Sequence, residues 1–425
     1  MLTLTPDELA MLHGEAGGGT ALAMRLVSGL AKVLGASSLV EIRSAHVDSC
    51  LYHGQAGLDF ARRLGDLGAT VRVPTTLNVG SVDLLHPGLV RTTTDHEQEV
   101  ATQGRALMEA YHTLGCQPTF TCAPYQLPSR PGFGDHVAWA ESNAIVFANS
   151  VLGARTDRYG DFFDIAAALT GRAPYAGLHR TEGRRGQLVF DCTRLSDRLL
   201  RSDLAYPLLG YLVGAQARTR VPVMTGWPAD ATEDQLKAFG AAAASSGGVA
   251  LFHVVGVTPE ADTLDAALDG QSADTVVLSS ADLDRARAEL CTVSDGPLDA
   301  ISIGTPHASY AESTRLAELL RSGPPLRPSV ACYLSTDRTV LARLRDAGTL
   351  AQLEAAGVQV VVDTCTYITP ILSPTVRVVM TTSGKWAHYA PGNLGVDVVL
   401  GSLEECVESG RRGLVTLSAD WAPHP

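Results

Sequence analysis

The chain has 425 residues, 45% of them hydrophobic and 18% charged, which is enough to bury a large core and too much for a single ordinary one. Two or three α/β domains are expected. A formal net charge of −12 argues against nucleic acid and acidic membrane surfaces as partners, because both reward clustered Lys and Arg.

The longest apolar run, 249–257, contains His253 and Gly256 and is too short to span a bilayer. No basic segment followed by an apolar one opens the chain, and eight cysteines lack framework spacing, so reduced thiols in a cytoplasm are expected. The basic run 180–185 is broken by Glu182 and Gly183 and reads as a solvated or anion-facing loop.

Thr5-Pro6-Asp7-Glu8 is a capping box with Pro at the first helical position. Gly17-Gly18-Gly19 reads as a flexible turn before a helix over 21–34; a phosphate cradle is disfavoured, since no strand precedes the glycines. A strand is expected over 38–42, with 46–50 just beyond its carboxyl end. The stretch 119–178 is rich in Gly, Pro, Asn, Arg and Tyr, with a helical pattern over 137–149, and reads as a structured, substrate-facing region.

From Val221 the pattern becomes regular. Strands are expected over 222–225, 249–254, 275–279, 300–304, 330–334, 358–362 and 376–380. Helices are expected from the capping box at Thr232 to about 245, and over 282–290 and 311–320. This alternation predicts doubly wound, mainly parallel sheets, with one region over 1–221 and a second over 222–425. Ligands of such sheets bind beyond the carboxyl ends of strands. His46, Thr305-Pro306-His307, Asp363-Thr364-Cys365 and Thr382-Ser383-Gly384-Lys385 each follow an expected strand in that way.

Three cysteines stand beside polar residues: Asp48-Ser49-Cys50, Thr121-Cys122-Ala123 and Asp363-Thr364-Cys365. Converging thiolates can hold an iron or iron–sulfur centre that keeps a position open for substrate. Spacing alone leaves this level with simple burial, because no C-x-x-C motif is present. Cys192, Cys291, Cys332 and Cys406 read as packing residues, and Cys116 as packing or a further ligand. His46 and His307 are placed either to move a proton or to be satisfied in the core. Lys385 could hold a substrate carboxylate. Glu141-Ser142-Asn143 and the run Asn149 to Arg158 crowd amides, hydroxyls and guanidiniums, and Arg suits bidentate carboxylate recognition; a cationic helix C-terminus is the plainer alternative. No G-x-S-x-G, Walker A, H-E-x-x-H or EF-hand pattern occurs.

These segments, read together, resemble the large subunit of aconitase X, the compact branch of the aconitase superfamily. The matching stretches include Met11 to Glu15, Ser44-Ala45-His46-Val47-Asp48, Val73-Pro74-Thr75-Thr76-Leu77-Asn78, Cys122-Ala123-Pro124-Tyr125, Asn149 to Thr156, Gly171-Arg172-Ala173-Pro174, Gly304-Thr305-Pro306-His307, Asp363-Thr364-Cys365 and Ser383-Gly384-Lys385.

The resemblance implies an aconitase-like multi-domain α/β fold and an iron-dependent hydro-lyase. The implied centre is an Fe–S cluster, [2Fe–2S] in preference, or mononuclear Fe, held by Cys50, Cys122 and Cys365. His46, His307 and Lys385 are implied as catalytic, and Thr75, Asn78, Tyr125, Glu141, Ser142, Asn143, Arg155 and Ser383 as substrate contacts. A small swivelling subunit is the implied partner and source of the general base. Cys50 together with Thr305 favours dehydration of cis-3-hydroxy-L-proline to Δ1-pyrroline-2-carboxylate. Mevalonate 5-phosphate or another hydroxy acid is the alternative substrate, and a non-catalytic ligand-binding subunit the alternative function.

Overall fold

The computed structural model describes residues 1–418, which divide into two compact units. The first comprises Met1–Val82, Arg91–Arg185 and Thr258–Glu260. It opens with α1 (Pro6–His13), where Glu8 N donates to Thr5 Oγ1 and Thr5 N donates to Glu8 Oε2, closing the expected box. The following glycines form no free hinge: Gly18 and Gly19 already belong to α2 (Gly18–Val33), and a Cβ on Gly19 would strike Ala69.

β1 (Leu39–Glu41) pairs antiparallel with β5 (Arg172–Pro174). β2 (Ala45–Val47) is the middle strand of a parallel sheet, between β3 (Thr75–Leu77) and β4 (Ala138–Trp139). His46 therefore lies inside a strand and not beyond one. The helical pattern over 137–149 resolves into β4 followed by α5 (Ser142–Ser150). The remaining helices of this unit are α3 (Gln55–Asp66), α4 (Asp95–Thr113) and α6 (Phe163–Thr170).

Among the described residues the second unit comprises Asp83–Val90, Gly186–Val257 and the chain from Ala261 onward. β6 (Leu188–Asp191), β7 (Pro222–Thr225), β8 (His253–Val254) and β9 (Asp274–Val277) form a parallel sheet in the order β8-β7-β6-β9. The change of unit falls at Arg185, ahead of the change of pattern at Val221, because β6 pairs in register with β7. Only the last two residues of the apolar run 249–254 join the sheet. Helices α7 (Asp197–Leu200), α8 (Ala205–Ala217), α9 (Glu233–Ser246), α10 (Leu264–Leu268) and α11 (Ser280–Leu290) connect these strands.

A second parallel sheet holds β10 (Ala300–Ala308), β11 (Ala331–Thr336), β12 (Val358–Val361), β13 (Val378–Thr381) and β14 (Asp397–Leu400), ordered β12-β11-β10-β13-β14. Its connections are α12 (Tyr310–Arg321), α13 (Arg338–Asp346), α14 (Thr349–Ala355), α15 (Gly384–Leu394) and α16 (Leu403–Arg412). Ile301, Ile303, Leu316, Leu334, Leu344, Val360 and Met380 form the buried core between sheet and helices. β10 runs past the expected end at Gly304, with a register break between Ile303 and Ala308, so His307 also lies within a strand. Gly304 has φ 95 and passes so close to the Ser335 carbonyl that a Cβ would collide with it. Strand order reverses between β10 and β13, the switch point at which open α/β sheets bind ligands. Among the described residues no helix is long and apolar enough to cross a membrane.

Asp83 ties the 83–90 segment to this sheet. Its buried carboxylate accepts from Leu85 N at 2.9 Å, His86 N at 2.8 Å and Val362 N at 2.9 Å. Asp83→Ala strands these donors, and the expected cost is about 2–4 kcal/mol in urea unfolding, where an exposed-site variant such as Asp95→Ala changes little.

Candidate active site

The expected site residues divide between the two units. In the first, parallel pairing sets His46 between Thr76 and Trp139. His46 is fully buried, with Nδ1 2.8 Å from Thr76 Oγ1, which is itself 3.4 Å from Ala45 O. A hydroxyl has one proton; given to the Ala45 carbonyl, it leaves an oxygen lone pair to accept Nδ1–H. That arrangement makes Nε2 the bare nitrogen, and Nε2 is buried without a hydrogen-bond partner among the described residues. Burial pushes the imidazole down to about 3, so it is neutral throughout the physiological range.

Beyond β2 the chain turns through Asp48 and Ser49 to Cys50. Asp164 of α6 fixes this turn, accepting from Asp48 N at 2.7 Å and from Ser49 N and Ser49 Oγ at 3.1 Å and 2.9 Å. Burial, with Glu141 next, raises the Asp48 carboxyl to about 7, while the Asn78 side-chain amide donates to it. Asn78 Oδ1 is buried without a partner among the described residues. The Cys50 thiol lies 3.0 Å from Asn78 O and 3.6 Å from Val79 O, and burial, followed by Asp48, holds its pKa well above that of an ordinary thiol.

Cys122 is buried, and its carbonyl accepts from Asn143 Nδ2 at 2.9 Å. Asn143 Oδ1 in turn accepts from Tyr125 OH at 2.6 Å, and Tyr125 stacks on Phe147 with centroids 3.8 Å apart. Glu141, in the left-handed region at φ 70, caps α5 through Ala144 N, contacts Asn143 Nδ2 and accepts from Ser142 Oγ at 3.4 Å. Tyr125, Glu141, Ser142 and Asn143 thus form one connected group behind Cys122.

In the second unit His307 and Cys365 offer ligand atoms within 4.8 Å of one another, and both are buried. His307 Nε2 lies 3.2 Å from Thr364 O, an acceptor that suits an Nε2–H. Cys365 follows Asp363, whose φ of 63 is left-handed. Arg338 forks onto that carboxylate at 2.6 and 2.7 Å and Leu84 N donates to it at 3.1 Å, which holds the strained residue in place. Ser383 caps α15, accepting from Trp386 N at 3.0 Å, and its hydroxyl donates to Thr305 O. Lys385 is buried in the first turn of that helix.

Three expected contacts are engaged in holding the protein together. Thr75 Oγ1 donates to Val73 O at 2.8 Å, and the Ser383 hydroxyl is the cap just described. Arg155 donates to His179 O and Thr181 Oγ1, each at 3.1 Å, and lies 3.9 Å from Glu260. His179 itself is buried between His136 and Tyr159, with ring nitrogens 2.9 Å from His136 Nδ1 and 2.6 Å from Tyr159 OH.

Sequence reasoning gave no role to Thr76, Asp48 or Asp164. Thr76 and Asp48 stand inside matching stretches, so position could have found them; Asp164 meets the Asp48–Ser49 turn only across the fold.

The family models for the aconitase X first, second and third domains match residues 1–182, 186–288 and 298–412. The cis-3-hydroxy-L-proline dehydratase of Pseudomonas aeruginosa is 44% identical over 95% of this chain and 69% of its own length. That of Hypocrea jecorina is 41% identical over 97% and 69%. The phosphomevalonate dehydratase large subunit of Methanothermobacter thermautotrophicus is 38% identical over 93% of this chain and 96% of its own. The crystal structure of Thermococcus kodakaraensis aconitase X in its holo form superposes with a TM-score of 0.86 at 32% identity, covering 96% of this chain and 100% of that one. The chain belongs to the aconitase X family and is a hydro-lyase with an α/β fold.

Two outcomes follow from the first unit. Thr76→Val removes the acceptor for Nδ1–H, so nitrogen-15 histidine spectra should show His46 shifting toward the Nε2–H tautomer, while Thr76→Ser keeps the native signature. Burial lowers His179 to about 3 against an unfolded value of 6.5. The unfolded chain therefore takes up a proton that the folded one refuses, and stability falls as pH drops from 6.5 toward 3. Between pH 6.5 and 5 the wild type should lose about 2 kcal/mol more than His179→Gln in pH-resolved denaturation.

Proposed function

We propose that this chain removes water from cis-3-hydroxy-L-proline, yielding Δ1-pyrroline-2-carboxylate after tautomerisation, and that it works with a small swivelling subunit. The observation that carries the substrate is the likeness, at 44% and 41% identity over nearly the whole chain, to two dehydratases named for it. A small partner is supported by the relatives named as large subunits.

Cys50, Cys122 and Cys365 would hold an iron centre, [2Fe–2S] or mononuclear. The surroundings of Cys365 and Cys122 support this reading. The His307 imidazole stands within ligand range of the Cys365 sulfur, and Cys122 is braced from behind through its own carbonyl. Cys50 in its present surroundings is a neutral thiol, so binding there releases a proton and weakens as pH falls. When bound, iron supplies a Lewis acid that eases departure of hydroxide, a poor leaving group.

The side chains divide the remaining work. His46 presents a neutral Nε2 that accepts a hydrogen bond from the leaving water. His307, oriented by the Thr364 carbonyl, holds the substrate hydroxyl. Lys385 and the amino end of α15 give positive potential for the substrate carboxylate. Asn143 and Tyr125 keep the Cys122 segment in place, and Asn78 offers its free Oδ1 to substrate. The base that removes the α-proton comes from the small subunit.

Side-by-side turnover of cis-3-hydroxy-L-proline and mevalonate 5-phosphate tests the substrate; water loss from the latter alone would overturn it, and binding without turnover of either would leave only a binding subunit. Cys365→Ser and Cys122→Ser should each lower iron content at least about tenfold and abolish both visible absorbance and turnover, whereas Cys291→Ser retains all of them.

A further inference from the structure

The carboxyl edge of the five-stranded sheet holds a second set of chemistry-bearing atoms. Thr305 Oγ1, Ser335 Oγ and Asp337 Oδ2 are buried and have no hydrogen-bond partner among the described residues. Their residues are 4%, 0% and 1% exposed, so bulk water does not meet the deficit. Asp337 is the N-cap of α13, and that role uses one oxygen only: Oδ1 accepts from Thr339 N at 2.7 Å and Val340 N at 2.9 Å. The second carboxylate oxygen has no structural duty.

Ser335 and Asp337 share one face at the end of β11, and Thr305 lies in the register break of the adjoining strand. Asp337 continues β11 with extended backbone, φ −89 and ψ 165, so its side chain leaves on the same side as that of Ser335 two residues earlier. Thr305 lies on the adjacent strand β10, immediately after Gly304, which abuts the Ser335 carbonyl. His307 stands two residues further along β10, and Cys365 follows β12 at the same edge. A buried carboxylate oxygen without a partner, on the same strand face as a serine hydroxyl, calls for a hydrogen-bond donor and best suits a cationic one, because an unpaired buried polar group is costly. The nitrogen of a cyclic imino acid supplies that: one positive charge and two N–H bonds.

We propose that Asp337, assisted by Ser335 and Thr305, binds the secondary ammonium group of the substrate and selects imino acids over hydroxy acids without nitrogen. The identity of the ligand rests on the hydroxyproline reading above; the unpartnered oxygens do not. A phosphorylated hydroxy acid has no cation to offer this carboxylate, which would repel its anion instead.

The test compares L-proline with tetrahydrofuran-2-carboxylate, which has oxygen in place of the ring nitrogen, as competitive ligands of the active holoenzyme. The wild type should bind L-proline at least about tenfold more tightly. Asp337→Asn keeps the capping oxygen and removes the charge. It should erase most of that preference, weakening L-proline about tenfold while tetrahydrofuran-2-carboxylate stays within about twofold, and should raise KM for cis-3-hydroxy-L-proline more than it lowers kcat. Ser335→Ala should shift L-proline binding in the same direction by a smaller factor, and stands in if the aspartate variant folds poorly. Equal weakening of both ligands would reveal a purely structural residue, and unchanged selectivity in both variants would overturn the assignment. Loss of potassium or sodium dependence without loss of selectivity would assign the oxygens to an inorganic cation and overturn it as well. Wild-type turnover of cis-3-hydroxy-L-proline in the same preparation keeps the two readings apart. Its absence refutes the substrate, whereas its presence with unaltered selectivity refutes this inference alone.

Discussion

β10 is flanked by parallel partners on both sides, and that pairing decides where chemistry can occur in the second unit. Parallel strands end on one edge, so every segment following a strand of this sheet is delivered to the same line. His307, Asp337, Cys365 and the Ser383–Lys385 turn reach it from β10, β11, β12 and β13 in turn. No local motif could bring His307 and Cys365 within 4.8 Å; the sheet order does. Devices that would be gratuitous elsewhere protect the edge. The left-handed Asp363 is held by a bidentate Arg338, and the Ser383 hydroxyl is used on Thr305 O, locking two site segments together.

Burial is the second ordering influence, and in the first unit it acts consistently against charge. It lowers His46 to about 3, raises Asp48 to about 7 and holds the Cys50 thiol protonated. The outcome is a cluster of groups able to give or take hydrogen bonds while adding little net charge. In such surroundings His46 is an uncharged hydrogen-bond partner for a departing hydroxyl, and the negative charge that develops on its oxygen has to be stabilised by other groups. Apart from two nitrogens of Arg91, the buried atoms without a partner among the described residues, His46 Nε2 and Asn78 Oδ1 here and the three oxygens of the second unit, fall on segments that carry expected site residues or adjoin them. Buried polar groups in proteins are otherwise nearly all satisfied, so each such atom is a candidate ligand contact.

Much of this was readable in the chain. The capping boxes at Thr5 and Thr232, the alternating strands after Val221 and the strand-end placing of Cys365 and Lys385 follow from local pattern, and the helices and strands stand close to where periodicity put them. His46 and His307 were expected beyond strand ends and lie within strands. β2 is too short to announce itself, and β10 runs through Gly304 and Pro306, residues that ordinarily end a strand. The apolar run 249–254 promised more strand than forms, because a buried apolar segment need not pair. Arg155, Thr75 and Ser383 were expected to contact substrate through the resemblance, and the hydrogen bonds their side chains make within the protein were not legible there. Which partner a donor finds depends on chain brought alongside by the fold, Glu260 and Thr181 in the case of Arg155, and no local spacing encodes that.

The two sets of relatives separate what is shared from what is selective. Proteins named for cis-3-hydroxy-L-proline and proteins named for phosphomevalonate both align over 93% or more of this chain, and both are named for removing water. The region they share with this chain is where its site histidines and cysteines fall. Substrates as unlike as a small zwitterion and a phosphorylated acid then have to be told apart by a few polar groups within the same frame. Discrimination is strongest where a wrong ligand leaves a buried polar group unpaired, so a lone carboxylate oxygen is a more effective selector than any change of pocket volume. Asp337 Oδ2 has that character. It is already committed by one oxygen to capping α13, so it cannot swing aside to accommodate a ligand that fails to neutralise it.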